Sequence, residues 1–270
     1  MIDKDTVVET LIGQWAAIDA LVSGLAPEQW AAQSPCPGWT VHDLIAHITG
    51  TELSLSGQLP PEPTSDVRGL PHVRNDIGAL NETWVQAFRK LDPAALLDRF
   101  RAVTTERGRT LRAMSAEEFE APAWTPAGHA TYARFMRIRV FDCWMHEQDI
   151  RDAVGLPGGG GDAAETLAVD EIADALGYIV GKRGKAPDGS SITFDLTGPT
   201  PRRLHVMVDE RAKVVDTLPG SATVTITLPT GVFARLCGGR IEPTQAGEAV
   251  DLEGDQELGR QIVAALAYTT

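Results

Sequence analysis

Residues 136–155 read MRIRVFDCWMHEQDIRDAVG, and the way this stretch coils governs how the first half of the chain packs. At about 100° per residue, Asp142, His146 and Asp149 fall within about 60° of one another on a helix, on the arc that carries Phe135, Ile138 and Met145. That arc faces a core. Two carboxylates and an imidazole set there cost free energy unless they are paired, hydrogen-bonded or bound to a metal. The i,i+4 spacing of Asp142 and His146 lets both side chains converge on one ion. The same spacing suits a plain helical ion pair, with Asp149 and Asp152 in solvent. A third ligand from elsewhere in the chain decides between the two.

Upstream, Val7, Leu11, Trp15, Ile18 and Val22 recur at steps of three and four, so residues 4–24 read as a long amphipathic helix ended by Gly24 and Pro27. After the loop Ser34-Pro35-Cys36-Pro37-Gly38-Trp39, a second helix opens on a capping box of Thr40 and Asp43 and runs to about Gly57. His47 lies at the edge of its apolar stripe (Val41, Leu44, Ile48, Leu55), and His42 points nearly the opposite way, toward solvent. Alone, a histidine placed as His47 is more often a hydrogen-bonded structural residue than a ligand. Residues 59–74 form a proline-rich loop carrying an exposed His72. Helical periodicity returns through Ile77, Leu80, Trp84 and Leu91, stops at Asp92-Pro93 as N-cap and first turn, and resumes to about Met114. A loop over 122–128 precedes the 136–155 helix, which starts near Thr131. The pattern is that of a helical bundle.

Beyond the linker Gly155-Leu-Pro-Gly-Gly-Gly-Gly161 and one more amphipathic helix, the period switches to two. Ile192, Phe194 and Leu196, then Leu204, Val206 and Val208, then Val224, Ile226 and Leu228 alternate with polar residues, which reads as a half-exposed antiparallel sheet. Short helices at 231–237 and 256–268 complete an α+β domain. The expected division is residues 1–155 for the bundle and 162–270 for the α+β domain.

The 270 residues carry a net charge of −13, with 43% hydrophobic and 23% charged residues, an ordinary globular composition. That charge disfavours nucleic acid and anionic membranes as partners. No apolar run reaches the ~20 residues needed to span a bilayer, and the acidic start is unlike a secretory signal, so a cytoplasmic location is expected. Cys36, Cys143 and Cys237 are odd in number and far apart, which indicates neither a disulfide framework nor a thiolate zinc site. Each reads as a small buried hydrophobe, with Cys36 of interest for its place just ahead of a histidine motif. Dinucleotide, Walker and Gly-x-Ser-x-Gly motifs are missing. Two imidazoles and a carboxylate, His47, His146 and Asp142, remain as a three-ligand set for a divalent metal with one position open. Asp149 is placed to orient His146, and Asp43 to orient His47.

The segment PCPGWTVHDLIAHITGTE, followed by RVFDCWMHEQDIRDAVGLPG, resembles the mycothiol-dependent maleylpyruvate isomerase family, within the DinB/YfiT-like group of four-helix-bundle metalloproteins. The resemblance implies a bundle followed by a sterol-carrier-like domain whose end is similar to Gly254-Asp-Gln-Glu-Leu-Gly259. It implies His47, Asp142 and His146 as ligands of a zinc-like ion, with aspartate standing where the family pattern has glutamate. It further implies mycothiol as the thiol cofactor, a small electrophilic substrate, and a C-terminal arginine that binds a substrate carboxylate, for which Arg235 and Arg240 are the candidates. The function so implied is a mycothiol-using isomerase or thiol S-transferase, working as a monomer or homodimer. The alternatives are a metal hydrolase without a thiol and a binding protein that holds an apolar ligand.

Overall fold

The computed structural model describes residues 3–63 and 65–269, and the chain divides into two compact units, Met1–Gly159 and Gly160–Thr270. The first unit runs α1 (Lys4–Ser23), a short α2 (Pro27–Trp30), α3 (Val41–Leu55), α4 (Asp76–Phe88), α5 (Pro93–Ala113), a short α6 (Ala116–Phe119), the strands β1 (Pro122–Thr125) and β2 (Gly128–Thr131), and α7 (Tyr132–Ala153). Each long helix starts where a side chain can accept from a free backbone N–H: Asp3 for α1, Thr40 for α3, Asp92 for α5 and Thr131 for α7. Thr40 and Asp43 cap one another's backbone, the reciprocal arrangement expected from their spacing. Helices α5 and α7 both pack on α1 and on α3, which makes a four-helix arrangement, and α4 lies against α3. Leu11 and Ile18 of α1, Leu44 and Ile48 of α3, Leu96 and Phe100 of α5 and Val140 and Trp144 of α7 are buried in its core. Gly50 lets α3 and α4 approach closely, because a Cβ there would run into the side chain of Trp84.

The segment expected as a loop over 122–128 is instead part of a hairpin, Pro122 to Thr125 paired antiparallel with Gly128 to Thr131. Gly128 turns it with φ at +93°, and the Thr125 hydroxyl donates to Gly128 O at 2.9 Å. Four-residue strands are too short for an alternation to show in the sequence.

The second unit opens with α8 (Ala163–Tyr178), continued by a π-helical turn over Ile179–Arg183, and continues with β3 (Ser191–Thr197), β4 (Arg202–Asp209), β5 (Arg211–Val215), β6 (Val224–Pro229), α9 (Thr230–Cys237), a short α10 (Pro243–Ala246), β7 (Asp251–Gly254) and α11 (Gln256–Ala264). The sheet order is β5-β4-β3-β6-β7. The three alternating runs are β3, β4 and β6, and their apolar residues are buried, with α8, α9 and α11 packed on the sheet. Two features depart from the expectation. Strands β5 and β7 were not legible, and β3 pairs with β6 in parallel, Ile192 opposite Val224 through Thr197 opposite Pro229. The other pairings are antiparallel. Residues 216–223 cause the parallel pair: after the β3-β4-β5 meander they carry the chain back along the sheet, so that β6 enters beside β3 in the same direction. Part of that segment (Thr217, Leu218, Gly220, Ala222) covers the polar side of the sheet at Thr193, Asp195, His205 and Thr227, around a cavity of about 400 Å³. No helix among the described residues is long and apolar enough to cross a membrane.

Candidate metal centre

Because α7 packs along α3, the imidazole at the seventh position of α3 meets the acid–imidazole pair of α7. His47 Nε2 lies 3.3 Å from Asp142 Oδ2, and His146 Nε2 lies 3.5 Å from Asp142 Oδ1. The two imidazole centroids are 5.0 Å apart, and one donor atom from each of the three residues lies within 4.8 Å of the others. Both imidazoles are buried, while Asp142 keeps 29% of its side-chain surface exposed and forms the open edge of the cluster.

Burial opposes charge on both rings. In His47 it prevails and the pKa falls below the ordinary value. In His146 burial is outweighed by the Asp142 carboxylate and by hydrogen bonds with Asp142, Asp149 and Cys36, and the pKa stands well above the ordinary value. For Asp142, burial is outweighed by Arg139, His146 and His47, which hold the carboxylate well below its usual range. The arrangement therefore favours an anion at Asp142 and a positive charge between it and the imidazoles, a place that a divalent cation can fill instead of a proton.

Around the three residues stands a second set of buried groups. Asp149 is 1% exposed, not solvated, and its Oδ2 accepts from His146 Nδ1 at 2.9 Å and from Cys36 Sγ at 3.3 Å. When the ring is neutral, as a metal ligand must be, this contact keeps the proton on Nδ1 and leaves the lone pair on Nε2, which faces Asp142. Cys36, His146 and Asp149 form a second close trio by the same 4.8 Å measure. Asp152 is exposed. The Trp39 indole lies over the site, its centroid 5.1 Å from His47 and 6.4 Å from His146. Its Nε1 donates to Glu82 Oε2 at 2.8 Å, and the same buried oxygen lies 3.0 Å from His72 Nε2. His72 and His42 are thus half-buried rather than solvated, His42 Nε2 lying 3.0 Å from Leu91 O.

The role expected of Asp43 toward His47 is not what the geometry gives. Asp43 Oδ2 accepts from Thr40 N at 3.0 Å, and Arg89 binds the carboxylate at 2.8 and 3.1 Å. The N3 position of the helix aims this carboxylate at the helix end, one turn before His47. His47 Nδ1 is buried with no hydrogen-bond partner among the described residues. Sequence reading missed Trp39, Glu82, Glu52, Arg107 and Arg139; Arg139 binds Asp142 and Glu52, and Arg107 binds Glu52. The available signals were weak: Trp39 stands inside the histidine motif, and Arg139 is three residues before Asp142 on the same helical face.

Arg235 and Arg240 belong to the second unit. Arg235, in α9, donates from Nη1 to Gly231 O at 3.2 Å, and Arg240, just after α9, from Nη1 to Gly238 O at 2.6 Å. Both are half-buried.

A helical bundle that gathers two imidazoles and a carboxylate at one half-open point, followed by a separate α+β unit, defines a two-domain bundle protein whose clustered donors could hold a divalent ion. Comparison with known families narrows the class. Residues 12–151 match the mycothiol maleylpyruvate isomerase N-terminal domain, and residues 166–261 match the C-terminal domain of the same family. The chain belongs to this enzyme family. Its fold is similar to the crystal structure of the mycothiol-dependent maleylpyruvate isomerase, with a TM-score of 0.61 at 16% identity over 93% of both chains. The crystal structure of a histidine-to-alanine mutant of that enzyme matches equally, with a TM-score of 0.61. Two proteins from strains of Mycobacterium tuberculosis, both described as uncharacterized, are 27% identical over 159 residues. That stretch is 58% of this chain and 59% of each relative.

Proposed function

We propose that the protein is a metal-dependent, mycothiol-using enzyme of the isomerase or thiol S-transferase type, acting on a small electrophile. The single observation that carries this reading is the convergence of His47, Asp142 and His146, from helices 95 residues apart in sequence, to within 4.8 Å in a family named for mycothiol. In this reading the bundle, residues 1–155, holds the metal, and residues 162–270 form the sterol-carrier-like α+β domain.

When bound, a divalent metal supplies Lewis-acid chemistry, lowering the pKa of a coordinated thiol or water so that a nucleophile is available near neutral pH. His47, Asp142 and His146 provide three donors and leave a position open. Asp149 keeps a proton on His146 Nδ1, so Nε2 offers its lone pair toward the ion. Trp39 covers the two imidazoles with a flat apolar wall and keeps water from that side. The exposed edge at Asp142 is where a thiol or a small substrate enters. Arg235 and Arg240 are the candidates for pairing with a substrate carboxylate, because a guanidinium meets a carboxylate with two parallel hydrogen bonds. Maleylpyruvate, named for the structural relative, is the first substrate to try.

Titrating mycothiol into the cobalt-loaded protein tests the thiol part directly. Entry of sulfur beside the metal is expected to change the visible spectrum and to release heat. An unchanged spectrum with metal still bound would remove the thiol and favour a metal hydrolase.

A further inference from the structure

We infer that Arg139 is a positioning residue of the metal centre: anchored by Glu52, it fixes the Asp142 carboxylate between the two imidazoles. The inference rests on the metal-binding reading above and assigns a further residue to it.

Arg139 is 3% exposed, and its guanidinium is engaged along its whole length. Nε donates to Glu52 Oε1 at 2.9 Å, Nη1 to Asp142 Oδ2, and Nη2 to Cys143 Sγ at 3.5 Å. Glu52 is fully buried, and its other oxygen accepts from Arg107 Nε at 3.0 Å. Arg107 Nη2 continues to the Tyr132 hydroxyl at 2.8 Å. One carboxylate on α3 is thereby gripped by arginines from α5 and α7.

Stability alone is a poor reason for such a cluster, since a buried Arg–Glu–Arg set is often matched or bettered by apolar side chains of similar volume. Its far end points to another reason. The chain of charges terminates on Asp142 Oδ2, the oxygen that stands 3.3 Å from His47 Nε2. Asp142 is the least buried of the ligand trio, and without Arg139 only the two imidazoles keep its carboxylate from turning toward solvent. A planar guanidinium donates along fixed directions, so Arg139 constrains the carboxylate in a way that a mobile ammonium does not. Its own anchor, Glu52, sits on the helix that carries His47. Glu52, Arg139 and Asp142 together form a strut between the two helices that supply the ligands.

The test compares wild type, Arg139→Gln, Arg139→Lys and His47→Ala, each loaded with cobalt(II). Affinity is read by competition with a chelator, and ligand geometry by the visible spectrum, neither of which requires turnover. Arg139→Gln is expected to weaken metal binding by about 10- to 100-fold and to shift the cobalt bands, as loss of a group that orients a ligand does. Arg139→Lys is expected to recover part of that affinity, and His47→Ala to lose cobalt altogether. If wild type takes up no cobalt, the metal reading fails and this inference falls with it. If wild type binds cobalt and Arg139→Gln matches it in affinity and spectrum, the role of Arg139 is refuted while the metal reading stands. Should circular dichroism show Arg139→Gln unfolded, Arg139→Lys decides: weakened affinity with shifted bands supports the strut, and wild-type values refute it.

Discussion

His146 donates from Nδ1 to Asp149, whereas His47 Nδ1 is buried with no hydrogen-bond partner among the described residues. Both rings meet Asp142 through Nε2, but on the Nδ1 side their restraints differ: His146 is held by the Asp149 carboxylate, and His47 has only packing, including that against Trp39. Asp149→Ala is expected to weaken metal binding by about 10- to 100-fold, measured by chelator competition, because the proton on Nδ1 loses its acceptor. Unchanged affinity would show that Asp149 does not orient His146. Cys237 sits apart from this chemistry, fully buried, and desolvation pushes its thiol well above the ordinary value. It is expected to stay unmodified by a thiol reagent at pH 8 in the folded protein and to react on denaturation, a contrast that mass spectrometry of the labelled peptide reads out. Rapid labelling in the native state would contradict the burial. At this scale the three central residues were legible because helical spacing and one motif single them out. Glu52, Arg107 and Arg139 were not, because an isolated charge on a helix reads as solvated, and only the packing of α3, α5 and α7 reveals the partner that allows it to be buried.

The helices of the bundle are held both by apolar stripes and by the buried carboxylate they share. Glu52→Ala leaves Arg107 and Arg139 facing each other without their common counter-charge, and a loss of about 3–5 kcal/mol in unfolding free energy is expected from urea denaturation. A loss below 1 kcal/mol, roughly the value of an exposed pair, would show that solvent reaches the cluster. Gly50→Ala tests the α3 and α4 contact separately: the added Cβ meets Trp84, and a loss of about 1–3 kcal/mol is expected from overpacking. A variant as stable as wild type would mean that α4 shifts freely on α3. The long helices were legible because a pattern of period 3.6 repeats several times in each, and the caps Thr40, Asp92 and Thr131 mark their starts. The hairpin strands β1 and β2 and the strand β7 span only four residues each. At the sheet edge, Arg211-Ala-Lys-Val-Val215 alternates only once, Ala212 and Val214 about Lys213, before Val215 breaks the pattern, too short a signal to mark β5.

On the scale of the whole molecule, the order of elements in sequence gave the architecture, a helical unit followed by a sheet-bearing one, and the family match covers both. The parallel pairing of β3 with β6 was not legible, because it follows from the path of residues 216–223 across the sheet and leaves no local pattern. Partnership between α3 and α7 belongs to this scale too, since nothing in either helix alone specifies the other. The most direct measurement of the account is therefore elemental analysis of the purified full-length protein beside His47→Ala, with folding of both verified by circular dichroism. The expected result is close to one divalent metal ion per chain in the wild type and almost none in the variant. A folded wild type that stays metal-free after exposure to zinc, or a variant that retains as much metal as the wild type, would contradict it.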